Sequence, residues 1–171
     1  MHTLERYFIP DQHNRLTDEI AEGVLRTVID YGRIAVENPS DYDAMSEIMW
    51  CGSISHNDLT GLGRGKDFCV HKFGHALSAK FDVAHGASLT TIWGHWAKYV
   101  YENDLERFKH YAKTVWGIQM EDTKQAAEEA IERTVAYFKE IGMPTCLSEL
   151  GVGVLDEETL KMLSLDATMG G

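Results

Sequence analysis

Long apolar runs are missing from this sequence, and so is any excess of basic residues. Crossing a bilayer takes about 18–20 consecutive apolar residues; no run of that length occurs among the 171, so no membrane partner is expected. Met1-His2-Thr3-Leu4-Glu5-Arg6 also lacks the basic-then-apolar order of a secretory leader. Lysine and arginine number 16 against 27 aspartates and glutamates, a formal net charge of −11, and the longest basic cluster is Arg64-Gly65-Lys66. A nucleic-acid partner needs clustered cations to displace the counterions of its phosphates, so none is expected either. Cysteines are few: Cys51, Cys69 and Cys146 form no CxxC pair and leave one over in any pairing. They read as reduced, structural thiols of a cytoplasmic protein. Runs of alternating apolar and polar residues are absent too, which excludes a sheet of consequence.

What remains is helix after helix, an all-α chain of about seven or eight helices in one domain over residues 1–171. Ile20, Val24 and Val28, with Leu25 and Ile29, form a helical stripe over Thr17 to Val36. Asn38-Pro39 ends it, because the residue before a proline is pushed out of the α region. Ser40 is expected to cap a second helix, with Asp43 in capping-box position, running to about Trp50. Cys51 to Gly65, rich in Gly, Ser, Asn and Asp, reads as a loop holding a short helix or turn. Further helices are expected over 67–80, 86–101, Leu105–Trp116, Thr123–Ile141 and Glu157–Leu163. In the fourth of these, Ala126, Ala130, Val135 and Phe138 face inward, and Gly142-Met143-Pro144 stops it. The first eight residues look like helix interior without a cap, and the last residues end in a Gly170-Gly171 turn, so both ends are expected to be cut.

Eight histidines are present, and their spacing carries the information. His71 and His75, at i and i+4, share one helix face, and His85 follows at a helix start before Gly86. First-row divalent metals take imidazole nitrogens converging from rigid elements such as adjacent helices. An HxxxH pair alone fits a structural role equally well; His85 in the small-residue context His85-Gly86-Ala87-Ser88 adds weight to the metal reading. A zinc-protease motif does not fit, since Lys72 follows His71 where a glutamate base is needed. A GxSxG nucleophile elbow is absent. Gly61-Leu62-Gly63-Arg64-Gly65 has no preceding strand and no following Lys-Ser/Thr, so it reads as a turn and not a phosphate loop. Of the other histidines, His95 between Trp93 and Trp96 reads as a packed helix residue and His56 as a turn residue. His13 and His110 read as solvated, the tryptophans and Phe73 as core, and Glu5 and Arg6 as a helix-surface pair.

Val70-His71-Lys72-Phe73-Gly74-His75-Ala76-Leu77-Ser78, followed by Phe81-Asp82-Val83-Ala84-His85-Gly86, resembles the signature of the iron-containing (group III) alcohol dehydrogenases. Leu59-Thr60-Gly61, Lys66-Asp67-Phe68 and Trp96-Ala97-Lys98-Tyr99 resemble the butanol-dehydrogenase-like branch. The opening His2-Thr3-Leu4-Glu5-Arg6-Tyr7-Phe8 is similar to that family's earlier metal motif. The resemblance implies His2, His71 and His85 as ligands of a divalent metal, Fe(II) or Zn(II), and His75 as a catalytic neighbour that is not a ligand. It implies hydride transfer between a small alcohol or aldehyde and NAD(P); a domain cut in this way is expected to expose apolar surface and so to form a homo-oligomer. It places the family's aspartate ligand and its nucleotide-binding domain, which holds most of the NAD(P), before Met1, so this chain alone is expected to be inactive. A glycerol-dehydrogenase-like or dehydroquinate-synthase-like enzyme is the rival in the same superfamily. A non-catalytic helical metal-binding module is the rival from another class.

Overall fold

The computed structural model describes residues 1–9 and 14–169, and every regular element among them is helical. In chain order these are α1 (His2–Tyr7), α2 (Arg15–Glu37), α3 (Tyr42–His56), α4 (Cys69–Phe81), α5 (His85–Val100), α6 (Leu105–Trp116), α7 (Thr123–Glu140) and α8 (Glu157–Met169). Single 3-10 turns lie at Leu59–Gly61 and Tyr101–Asn103. No helix among the described residues is long and apolar enough to cross a membrane. His13 and the expected Gly170-Gly171 turn fall outside the described residues.

Helix starts follow side-chain chemistry. Asp41, not Ser40, caps α3: its carboxylate accepts from the Ala44 backbone N–H at 2.9 Å, and its charge suits the positive helix end. Asp104 and Asp122 cap α6 and α7 in the same way. Gly117, at φ +67°, ends α6 in the left-handed conformation that glycine adopts freely. Two expectations need correction. α3 runs on to His56 through weak helix formers, because its last turn is held from outside: Thr3 hydrogen-bonds the Ser55 hydroxyl at 2.7 Å, and Arg6 donates to the Ser55 carbonyl. α8 continues past Leu163 to Met169, since Leu163 and Ala167 are both buried.

The main core gathers α1, α2, α5, α6 and α7 around Tyr7, Phe8, Trp93, Phe108, Tyr111, Ile131 and Phe138. Phe8 stacks on Phe108 at 4.1 Å between centroids, and Trp93 meets Phe138 edge-on at 5.8 Å. Fully burying a large apolar side chain contributes about 1.5–3 kcal/mol. Leu4, Tyr7 and Phe8 therefore seat the six-residue α1 firmly despite its length. Ala126, Ala130 and Phe138 are buried as expected, with Val135 half-buried against the same core. A second, smaller core joins α4 to α8 through Ala76, Leu77 and Leu163.

The α4–α5 pair positions the histidines. α4 ends at Asp82, which takes a left-handed φ of +53° and reverses the chain. On α4, Gly74 lets α5 come close: a Cβ there would stand 2.6 Å from Leu89 Cδ2 and 3.0 Å from Ser88 Oγ.

Candidate metal centre

Five histidines from four helices meet on one side of the molecule. His2 opens α1, His56 closes α3, His71 and His75 lie one turn apart on α4, and His85 opens α5. Ring centroids are 4.9 Å apart for His56 and His2, 4.3 Å for His2 and His71, and 5.4 Å for His71 and His85. His75 stacks on His85 at 4.8 Å and lies 6.0 Å from His71. His71 is buried in the middle of the row, His2 is half-buried, and His56, His75 and His85 are exposed.

His71 is held in one orientation. Glu5, itself 1% exposed, contacts His71 Nδ1 through Oε2, and its Oε1 accepts from the His71 backbone N–H at 3.2 Å. The opposite ring nitrogen, Nε2, is buried and has no hydrogen-bond partner among the described residues. Buried polar atoms are nearly always satisfied, and an orphan costs about 1–3 kcal/mol.

Burial, followed by the neighbouring His71, pushes the His2 pKa down to about 4. Burial, then His75 and His71, lowers that of His85. Both are thus kept in the neutral form that binds metals.

These residues fit a divalent cation. Two imidazoles on one ion, each nitrogen about 2.0–2.1 Å from it, have ring centroids roughly 4.5–5 Å apart. The His2–His71 and His71–His85 separations of 4.3 and 5.4 Å bracket that value. Imidazole donors suit Fe(II) and Zn(II) alike. Among the described residues no three His, Cys, Asp or Glu side chains already converge on one point as the ligands of an ion do; what is in place is the buried Nε2 with its neighbours at ligand spacing. Cavities of about 380 and 500 Å³ lie elsewhere and include none of the five histidines. The histidine row is an open face, not an enclosed pocket.

The four histidines singled out in the sequence, His2, His71, His75 and His85, are brought together. Three further residues of the site were read differently there. His56 is not in a turn but on the last turn of α3, against His2. Glu5 and Arg6 are not a surface pair: both are buried, Glu5 on His71 and Arg6 against Asp58 at 3.1 Å and over Phe68 at 5.5 Å. Their neighbours Leu4, Tyr7 and Phe8 were the available signal, since a six-residue helix with that many apolar residues turns most of its circumference inward. Away from the site, His95 is exposed, not packed, and lines the 500 Å³ cavity with Cys146. Trp50 is also exposed, at 63%.

The profile of the Fe-containing alcohol dehydrogenase family, C-terminal part, matches residues 1–170. The chain is 40% identical over 154 residues to NADH-dependent butanol dehydrogenase A of Clostridium acetobutylicum, a match covering 89% of this chain and 40% of that protein. It is 32% identical to the NADPH-dependent aldehyde reductase YqhD of Escherichia coli, covering 89% of this chain and 39% of that protein. Among solved structures, NADH-dependent butanol dehydrogenase A of Thermotoga maritima superposes with a TM-score of 0.90 at 31% identity, over 98% of this chain and 41% of that one. The chain thus spans about two fifths of the length of the relatives it matches.

Proposed function

The chain belongs to the Fe-containing alcohol dehydrogenase family, and on that footing we propose that it is the metal-holding helical domain of an NAD(P)-linked alcohol dehydrogenase or aldehyde reductase. The observation that carries this reading is the buried, partnerless Nε2 of His71, flanked at ligand spacing by His2 and His85.

His2, His71 and His85 would hold the cation, Fe(II) or Zn(II), with His71 as its fixed point. Bound there, a divalent metal lowers the pKa of an alcohol and polarises an aldehyde carbonyl. The remaining work belongs to side chains of this domain. His75, exposed beside His85, takes up the alcohol proton in one direction and returns it in the other, since an imidazole nitrogen can both accept and donate a proton. The exposed side of the row, at His75 and His85, would admit a small alcohol or aldehyde. The family resemblance implies that the dinucleotide would be held mainly by a separate nucleotide-binding domain. The three thiols, none of them disulfide-bonded, suit a reducing cytoplasmic setting.

Elemental analysis of the protein purified without chelators tests the reading. Weak but detectable binding of iron or zinc is expected in the wild type, with a loss of at least about tenfold in His71→Ala, since even outer contacts of a metal site change affinity by 10–100-fold. An unchanged metal content in His71→Ala sinks it.

A further inference from the structure

Glu5 is a buried carboxylate that the proposed chemistry does not use. It lies one helical turn after His2 on α1, and both of its oxygens are directed at a single residue, His71. Backbone N–H groups only donate, so Oε1 must accept from His71. An ionised carboxylate can only accept, so Oε2 requires the proton of the imidazole to be on Nδ1. The consequence appears on the far side of the ring: Nε2 must then carry its lone pair outward, and that is the atom left buried without a partner.

We propose that Glu5 is a positioning residue of the metal centre, fixing His71 in the Nδ1–H tautomer and in one ring orientation so that Nε2 faces the cation. Two hydrogen bonds from one carboxylate to one histidine settle tautomer and rotation together, which a single contact does not. The carboxylate also places a negative charge one ring away from the ion, raising the basicity of the ligand nitrogen. Because Glu5 and His2 share α1, seating that helix through Leu4, Tyr7 and Phe8 sets one candidate ligand and orients another at once. This inference depends on the metal-site reading above, but its first measurement does not need a metal.

The tautomer is read from long-range proton–nitrogen correlations on chain labelled with ¹⁵N-histidine and stripped of metal. Wild-type His71 is expected with its proton on Nδ1; a proton on Nε2 overturns the proposal, whether or not any variant folds. The second measurement compares Zn(II) affinity, by chelator competition, in wild type, Glu5→Gln and Glu22→Gln. Glutamine keeps the shape of Glu5 but replaces one acceptor with a donor amide, which leaves the backbone N–H opposed or drives the ring to the Nε2–H form. Glu5→Gln is expected to weaken Zn(II) binding about 10–100-fold. Glu22, a buried glutamate bonded to Tyr7 and His110, serves as the control, and its variant is expected to bind as wild type does. Equal affinity in a folded Glu5→Gln overturns the positioning role. A wild type that binds no Zn(II) while His71 keeps its Nδ1 proton overturns the metal-site reading, and with it any role of Glu5 toward a cation.

Discussion

Asp18 stands between two guanidinium groups, with Arg64 on one oxygen and Arg107 on both, at 2.5 and 2.9 Å. Arg107 also stacks on Tyr7 at 3.7 Å and donates to the Tyr7 carbonyl at 2.7 Å, so this carboxylate anchors the helix that carries His2. Burial works to raise the Asp18 pKa, but the hydrogen bonds and charges of Arg107 and Arg64 outweigh it and hold the carboxyl below its ordinary value. A depressed folded-state pKa gives stability that is fully present above the unfolded value of about 3.9 and is lost as pH falls through the folded one. Asp18→Asn is therefore expected to lower stability by about 3 kcal/mol near neutral pH, because two largely buried arginines lose their counter-charge. The gap between variant and wild type should close in strong acid. Urea unfolding across pH checks this, and a difference that grows as pH falls counts against it.

At the scale of elements, the close crossing of α4 and α5 decides the geometry of the histidine row. Gly74 leaves no room for a methyl group beneath Leu89 and Ser88, and Leu89 is held in the main core. Gly74→Ala is expected to destabilise by about 1–3 kcal/mol, the usual cost of overpacking. It should also displace His85 from His71, seen as weaker Zn(II) binding in the folded protein. A variant with wild-type stability and affinity would show the crossing to be slack. Much of this level was legible beforehand: the His71/His75 spacing, the break at Phe81 to Ala84 and the stripe of α2 are regular patterns, and each lies where its period placed it. Two elements were not. α1 is too short for a period to be read, so the inward turn of Glu5 and Arg6 is signalled only by the density of their apolar neighbours. The end of α3 has the composition of a loop and is helical because Thr3 and Arg6 grip Ser55 from α1, a contact 49 to 52 residues distant in sequence. Local preference is routinely overridden by such tertiary contacts.

The whole molecule leaves large apolar side chains uncovered. Tyr42, Met49 and Trp50 are 82%, 70% and 63% exposed, at positions i, i+7 and i+8 that share a face of α3, and Leu160 and Leu165 are exposed on α8. Single exposed apolar residues are ordinary, but a contiguous stripe promotes association. The protein is expected to form a dimer or larger homo-oligomer, and Trp50→Ser to weaken it. Sedimentation showing a clean wild-type monomer at high concentration excludes this.

Catalysis is the last property of the whole molecule, and here the expectation is negative. Hydride transfer needs the nicotinamide carbon held about 3–3.5 Å from the carbinol carbon, and such positioning supplies roughly 7–11 kcal/mol of the barrier. Dinucleotides are commonly gripped by a βαβ unit whose helix N-terminus receives the pyrophosphate. Among the described residues there is no strand, and therefore no such unit. The metal supplies a different part of the barrier, by stabilising charge on oxygen, and cannot replace the missing alignment. The 171-residue chain, assayed with Fe(II) or Zn(II), NADH or NADPH and a short aldehyde, should show no turnover above background even when its metal is bound. Adding NADH should likewise leave its Zn(II) affinity unchanged, since ligands that do not bind cannot be coupled. Turnover comparable to that of a full-length relative would show that these helices alone hold the dinucleotide, and the division of labour proposed for the domain would be wrong.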